Sequence, residues 1–300
     1  LEKTATKTHS ADFIADFKEI TKMRLTVSVV FSAIAGYFLG ADKIDFVVVL
    51  LLAIGGYFLV GASNAFNQIL EKDLDAKMDR TKNRPLPAGR MSVTTASLIG
   101  AIFGISGIAL LYFINPSTAL FGTISIILYV LVYTPLKTKT PLSVFAGAFP
   151  GAIPFMMGWV AATNNFGIEA GTLFMIQFFW QFPHFWSLGW WLYDDYEKGG
   201  FFMLPSGKRD GITATQTVLY TFWTVIVSLV PITGLTGKLY LSNVAGILIF
   251  LIGAGMFYFA VQLYKKRTTK AAKQLMFASV SYITLLQIIF VLDKFIRSWI

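Results

Sequence analysis

The chain has 300 residues, of which 55% are hydrophobic and only 14% charged, with a net charge of +9. Soluble domains carry about 25% charged residues, so this composition points to lipid as the main solvent. The absence of cysteine excludes disulfides and thiolate metal sites, and two histidines, His9 and His184, are too few for a His-rich metal centre.

Residues 1–24 read as a cytoplasmic tail. They hold no apolar signal-peptide core, and Asp12, Asp16 and Glu19 argue against a transit peptide. Phe13, Ile14, Phe17 and Ile20 fall on one helical face. That spacing predicts a short helix, either lying on the membrane surface or packed ahead of the first span. Residues 25–300 read as one polytopic domain. A span needs about 20 apolar residues. Nine such stretches are expected: 25–41, 46–66, 92–114, 117–134, 142–162, 169–192, 214–235, 241–264 and 274–292. The fifth contains Pro150 and Pro154, which kink helices, and glycines, which let them pack closely. The sixth is strongly aromatic, "LFMIQFFWQFPHFWSLGWWLY".

The connections test that count. Of 25 Lys and Arg, 21 lie in the tail and in the loops after spans two, four, six and eight. The opposite side holds Lys43, Lys238, Lys294 and Arg297. The positive-inside rule then puts the N-terminus in the cytoplasm and the C-terminus outside. The expected fold is an all-α membrane protein of nine transmembrane helices. Twelve of the 16 acids share the basic side, and eight of them sit in the loops after spans two and six. Topology alone does not require that clustering.

The first of these loops begins the run "NQILEKDLDAKMDRTKNRPLPAGR", residues 67–90. Asn67, Glu71 and Asp75 are four apart, a spacing that drifts only about 40° per step on a helix and lines one face. Two carboxylates and an amide there suit a hard cation such as Mg²⁺, which takes oxygen ligands and substrate phosphates. The bases that follow suit phosphate oxygens. Together they describe a metal–diphosphate site; the alternative is a solvated loop with surface ion pairs. The second loop, "WWLYDDYEKGGFFMLPSGKRDG", brings Asp194, Asp195, Lys198, Lys208 and Arg209. If it closes over the first, more than one Mg²⁺ could neutralise a diphosphate leaving group. In "YTPLKTKTPLS", Tyr133, Lys137 and Lys139 end span four with no acid in their own loop. They are either orientation signals or diphosphate ligands, and Arg24 in "ITKMRLTV" has the same two readings. His184 lies well inside span six, where an ionisable group is a functional candidate, or else a neutral histidine bonded to a neighbouring helix. A transporter of anionic solutes is the rival class. Transporters place charge at mid-membrane, whereas this charge lies at one face.

The run "NQILEKDLDAKMDRTKNRPL" resembles the first acidic motif of the UbiA superfamily of intramembrane prenyltransferases, and its "RTKNRPL" form resembles the heme O synthase branch. The resemblance extends to "TKMRLTV", to "YTPLKTKTPLSVFAGAFPGAIPFMMGW" and to "HFWSLGWWLYDDYEKGGFFMLP". It implies nine helices around a central cavity in the bacterial cytoplasmic membrane. It also implies Mg²⁺-dependent transfer of farnesyl from farnesyl diphosphate to the vinyl group of heme B, giving heme O, with heme A synthase or terminal oxidase assembly downstream. On this reading Asn67, Glu71, Asp75 and Asp195 are catalytic and, with Asp194, metal-binding. Arg24, Arg80, Lys82, Arg84, Lys139 and Lys198 bind the diphosphate, and His184 and Tyr133 the acceptor. A quinone or chlorin precursor is the alternative acceptor. Two departures from the family pattern stand out. Glu71 replaces the commoner Asp, and the second motif has adjacent acids where the superfamily has acids four apart, so the number of metal ions stays open.

Overall fold

The structure, a computed structural model, describes residues 12–299; the expected tail before residue 12, with His9, lies outside them. Helix α1 covers 12–20. It is followed by α2 (Met23–Gly40), α3 (Phe46–Leu70), the single turn α4 (Lys72–Asp75), α5 (Val93–Ile114) and α6 (Pro116–Ile127). A π-helical turn, Leu128–Tyr133, carries α6 into α7 (Thr134–Leu136). Then come α8 (Ser143–Thr163), α9 (Ile168–Trp191), α10 (Tyr193–Lys198), α11 (Gly211–Leu229) with a 3₁₀ turn at Val230–Thr233, α12 (Asn243–Lys266) and α13 (Thr269–Trp299). No strand occurs among the described residues.

Eight of these stretches are long and apolar enough to cross a membrane: α2, α3, α5, α6 through α7, α8, α11 with its 3₁₀ turn, α12 and α13. The expected sixth span falls short on composition, not on length. Helix α9 has 24 residues, or ~36 Å at 1.5 Å per residue. Its Gln, Trp, Pro and His side chains hold its hydropathy below that of the others. Polar caps start several of the helices. Ser92 accepts from Thr95 N at 3.0 Å. Asn115 accepts from Thr118 N at 2.8 Å, with Pro116 in the first helical position, where a missing N–H costs nothing.

Helix α2 is the keystone, packing on α3, α8 and α13. On one side α3, α5, α6 and α8 pack together; on the other, α9, α11, α12 and α13; α8 meets α9 between them. Lipid supplies no hydrophobic drive for helices to associate, so close backbone approach and buried hydrogen bonds must hold them. A Cβ at Gly36 would collide with the Phe155 carbonyl, and one at Gly158 with the Ala33 carbonyl. Gln287 of α13 donates to Ser32 of α2 at 3.0 Å and to Gln177 of α9 at 3.3 Å. Helix α13 outruns the expected 274–292 at both ends. Its Lys294 donates to the carbonyls of Phe38, Leu39 and Ala41 at 3.0, 2.9 and 2.6 Å, closing the C-terminal end of α2.

Helix α1 is docked as well as apolar. Ile20 is buried with Ala65, Leu86, Met91 and Ala96. Arg90, from the first acidic loop, pairs with Asp16 at 2.9 Å and Glu19 at 3.3 Å. Phe13 and Ile14 stay exposed. The packed arrangement expected for this helix is therefore seen at its C-terminal end.

Candidate active site

Helix α3 stops at Leu70, and Glu71 (φ −98, ψ 6) interrupts it. The i→i−4 ladder nevertheless continues, from Glu71 N to Asn67 O at 3.0 Å and from Asp75 N to Glu71 O at 2.7 Å. Asn67, Glu71 and Asp75 thus keep one side, and they are 0%, 4% and 1% exposed. Each meets its own cation. Lys22 donates to Asn67 Oδ1 at 3.2 Å. Lys137 Nζ lies 2.7 Å from Glu71 Oε1, and Arg84 Nη1 lies 2.7 Å from Asp75 Oδ2. Asp75 Oδ1 is buried without a hydrogen-bond partner. A carboxylate oxygen left so is costly unless a ligand meets it.

Two local devices bring the bases in. Lys22 sits between α1 and α2 in the left-handed conformation, φ 46. For a non-glycine residue that costs about 1–2 kcal/mol. Side chains of α3 hold the turn. Asn64 Nδ2 donates to Thr21 O at 3.3 Å, and Gln68 Nε2 donates to Glu19 O at 3.2 Å and Ile20 O at 2.8 Å. Lys137 follows the π-helical turn. Pro135 has no N–H to offer the preceding turn and its ring crowds the carbonyl there, and the helix ahead of it widens. Thr134 Oγ1 then donates back to Tyr129 O at 2.8 Å and accepts from Asn67 Nδ2 at 3.1 Å.

The cluster holds three bases, Lys22, Arg84 and Lys137, against two acids. Lys22 carries the imbalance. Burial, then the Arg84 and Lys137 charges, bring its pKa from 10.5 to about 7. Burial also works against the Lys137 ammonium, but the Glu71 carboxylate and the Tyr129 hydroxyl outweigh it and hold that pKa above the ordinary lysine value. With Lys22 neutral the remaining pairs balance, and an anion arriving beside it favours its charged form.

The second acidic loop closes over the first. Asp195 accepts from the backbone amides of Asp79 at 2.6 Å and Arg80 at 3.2 Å. Asp79 pairs with Lys198 and, at 2.7 Å, with Lys82; those hydrogen bonds bring its pKa down to about 2. The Arg80 guanidinium lies 5.6 Å from the centre of the Tyr196 ring.

Several expected site residues stand elsewhere. Asp194 turns to Arg209, both oxygens accepting at 3.0 Å, because adjacent residues leave a helix on different faces. Arg24 and Lys139 are exposed, and their neighbours Lys22 and Lys137 take the inward positions. Lys82 and Lys198 sit with Asp79 at the exposed rim. Tyr133, expected at the acceptor, is buried under the Lys137 ammonium, 4.7 Å from its ring centre. Lys22 was missed because a left-handed lysine breaks helical periodicity. Its only signal was its place two residues before Arg24. Among the described residues no three acids or histidines form a cage that could hold a metal alone.

Residues 29–282 match the UbiA prenyltransferase family. The chain belongs to this family. It is 70% identical to the protoheme IX farnesyltransferase of Christiangramia forsetii over the full length of both chains. It is 41% identical to that of Cytophaga hutchinsonii, over 95% of this chain and 99% of the relative. Among solved structures, a digeranylgeranylglyceryl phosphate synthase shares the fold at TM-score 0.77 and 19% identity, over 93% of this chain and 98% of that one. A UbiA homologue from Archaeoglobus fulgidus bound to GPP and Mg²⁺ does so at 0.67 and 15%, over 92% and 99%.

In this UbiA-family prenyltransferase His184 lies apart from the charged cluster, on the α9 face toward α13. Its Nδ1 is 2.9 Å from Ser279 Oγ, and the Trp180 indole stacks on it at 4.8 Å. Ser279 Oγ donates its one proton to Met276 O at 2.7 Å. With that proton on the carbonyl, the neutral imidazole donates through Nδ1, the tautomer that keeps a lone pair on Nε2.

Proposed function

We propose that the chain transfers the farnesyl group of farnesyl diphosphate to the vinyl group of protoheme IX, giving heme O. The observation that carries this reading is the buried face of Asn67, Glu71 and Asp75, each matched by a cation within 3.2 Å. The acceptor is supported by 70% identity to a protein of that activity. The orphaned Asp75 Oδ1 beside Glu71 and Asn67 fits Mg²⁺, which is bound by one or two carboxylates together with substrate phosphate oxygens. Bound there, Mg²⁺ supplies charge neutralisation of the leaving diphosphate.

The chain's own residues do the rest. As farnesyl diphosphate binds, Lys22, Arg84 and Lys137 exchange carboxylate and amide partners for phosphate oxygens. Fixed positive charge then faces the oxygens on which negative charge grows as the allylic C–O bond breaks. The Asp195 and Lys198 contacts hold the two loops over the site and keep bulk water from the cation. The vinyl carbon bonds to the allylic carbon, and water adds to the resulting cation, leaving a hydroxyl and releasing a proton. His184 is the acceptor-side residue, offering Nε2.

We read α9 as a ninth span, with the N-terminus in the cytoplasm and the site at the cytoplasmic face of the inner membrane. The 24-residue length of α9 and the alternation of Lys and Arg support this. The test incubates the purified chain with heme B, farnesyl diphosphate and Mg²⁺, and follows heme O by mass. A quinone precursor is offered in parallel. Asp75→Ala is expected to lower heme O formation at least about 100-fold; undiminished product would remove Asp75 from the mechanism, and prenylation of the quinone alone would overturn the acceptor.

A further inference from the structure

A second feature lies away from the reaction centre, between α11 and α12. A cavity of about 460 Å³ opens at the end of these helices that carries the charged loops, lined by Asp210, Gly211, Gln216, Tyr264 and Arg267. A second, about 360 Å³, shares Thr215 and Tyr264 with it and continues along Val218, Leu219, Phe222 and Phe257. The two form one cleft, polar at its mouth and apolar in its depth. Gly211 to Phe222 on α11 and Phe257 to Arg267 on α12 each advance ~15 Å along the helix axis. That is half of a ~30 Å hydrocarbon core, the depth of one leaflet.

The mouth is built around a positive charge without a protein partner. Arg267 ends α12 in the left-handed conformation, φ 49, with its N–H bonded to Leu263 O at 2.8 Å. This turn folds the guanidinium back over the start of α11, so that a Cβ on Gly211 would lie 3.0 Å from Arg267 Nη2. Among the described residues no carboxylate pairs with Arg267. The guanidinium is exposed at the mouth and stands over the start of α11, whose own dipole is met by the Asp210 cap. Lys265, Lys266, Lys270 and Lys273 flank it in sequence, and no acid occurs in that stretch. Asp210, the one carboxylate at the mouth, is engaged in capping α11. Its Oδ1 accepts from Thr213 N at 2.9 Å and Ser206 Oγ at 2.8 Å. Orientation of the chain accounts for basic residues on this side, but not for an arginine turned back over a helix start above an apolar slot.

We propose that the α11–α12 cleft binds an anionic phospholipid, with the headgroup phosphate on Arg267 and an acyl chain along Leu219, Phe222 and Phe257. A guanidinium holds phosphate through forked hydrogen bonds, and the slot matches one chain in one leaflet.

The test reconstitutes the full chain in bilayers of equal parts phosphatidylglycerol, phosphatidylethanolamine and phosphatidylcholine, re-extracts it gently and weighs the retained lipid by mass spectrometry. Phosphatidylglycerol is expected to be enriched about fivefold, the ratio that one basic residue near an anionic surface gives. Arg267→Asn tolerates the left-handed turn and removes the charge. It should return retained lipid to the bulk ratio while heme O synthesis persists, which shows that the variant is folded. Leu219→Trp fills the slot and should lower retention of all three lipids. Retention without preference, preference for phosphatidylethanolamine, or a phosphatidylglycerol preference that survives both substitutions would each overturn the assignment.

Discussion

Lys22 and Lys137 show how much a single backbone conformation decides. Each lies two residues from a basic side chain that points to solvent. Lys22 gains its position from a left-handed turn held by Asn64 and Gln68. Hydrogen bonds to a charged group are worth about 1.5–3 kcal/mol, so Lys22→Met should raise the KM for farnesyl diphosphate roughly ten- to hundredfold. Lys22→Arg, which keeps the charge, should restore most of it; an unchanged KM in Lys22→Met would exclude this residue from the diphosphate site. Lys137 and Glu71 are each other's partner in a buried place, and removing one leaves the other charged and alone, at about 3–5 kcal/mol. Lys137→Met and Glu71→Gln should each lower the melting temperature in detergent. The double variant should regain most of that stability and none of the prenyl transfer, because stability needs neutrality there and turnover needs the charges.

At the scale of elements, the site is assembled by interruptions of regular structure. Helix α3 breaks at Glu71 yet keeps its hydrogen-bond ladder, so the four-residue spacing carries across the break. The π-helical turn before Pro135 rotates Thr134 and Lys137 toward Asn67 and Glu71. Helix α10 lies over the first loop through Asp195 and Lys198. Asp195→Ala should free the backbone amides of Asp79 and Arg80. The expected result is faster proteolysis within residues 76–90 without substrate, and more hydrolysis of farnesyl diphosphate to farnesol relative to heme O. Unchanged cleavage and unchanged partition would show that the loops stay closed without this contact. The adjacent acids Asp194 and Asp195 were legible as a pair; that one would serve Arg209 and the other two amides was not, since those partners come from residues far along the chain.

For the whole molecule, the alternation of basic and nearly base-free connections yields a direct experiment. The chain has no cysteine, so single cysteines can be introduced on a silent background. With nine spans, Lys238→Cys should react with an impermeant thiol reagent added to intact cells, and Lys266→Cys only after the membrane is opened. With α9 outside the membrane, the loops beyond it would exchange sides, and so would the labelling pattern. Helix α9 is where composition and architecture part. Its polar side chains lower its hydropathy, yet Gln177, Trp180, Gln181 and His184 bond to Gln287, Ser279 and Ala148 on neighbouring helices. Polar atoms satisfied inside a bundle need no water.

Sequence alone determined the properties that depend on local spacing and on summed composition. These are the apolar stretches, the charge asymmetry, the shared face of Asn67, Glu71 and Asp75, and a family likeness strong enough to suggest the chemistry. Tertiary structure alone decided which cation each of those side chains meets. Lys22 precedes α2, Arg84 follows α4 and Lys137 follows a π-helical turn, and only the packed bundle brings the three within 3.2 Å of one helix face. The physical reason is that an ion pair is set by distance and burial in space. Periodicity states which way a side chain leaves its own helix, but not what stands opposite it.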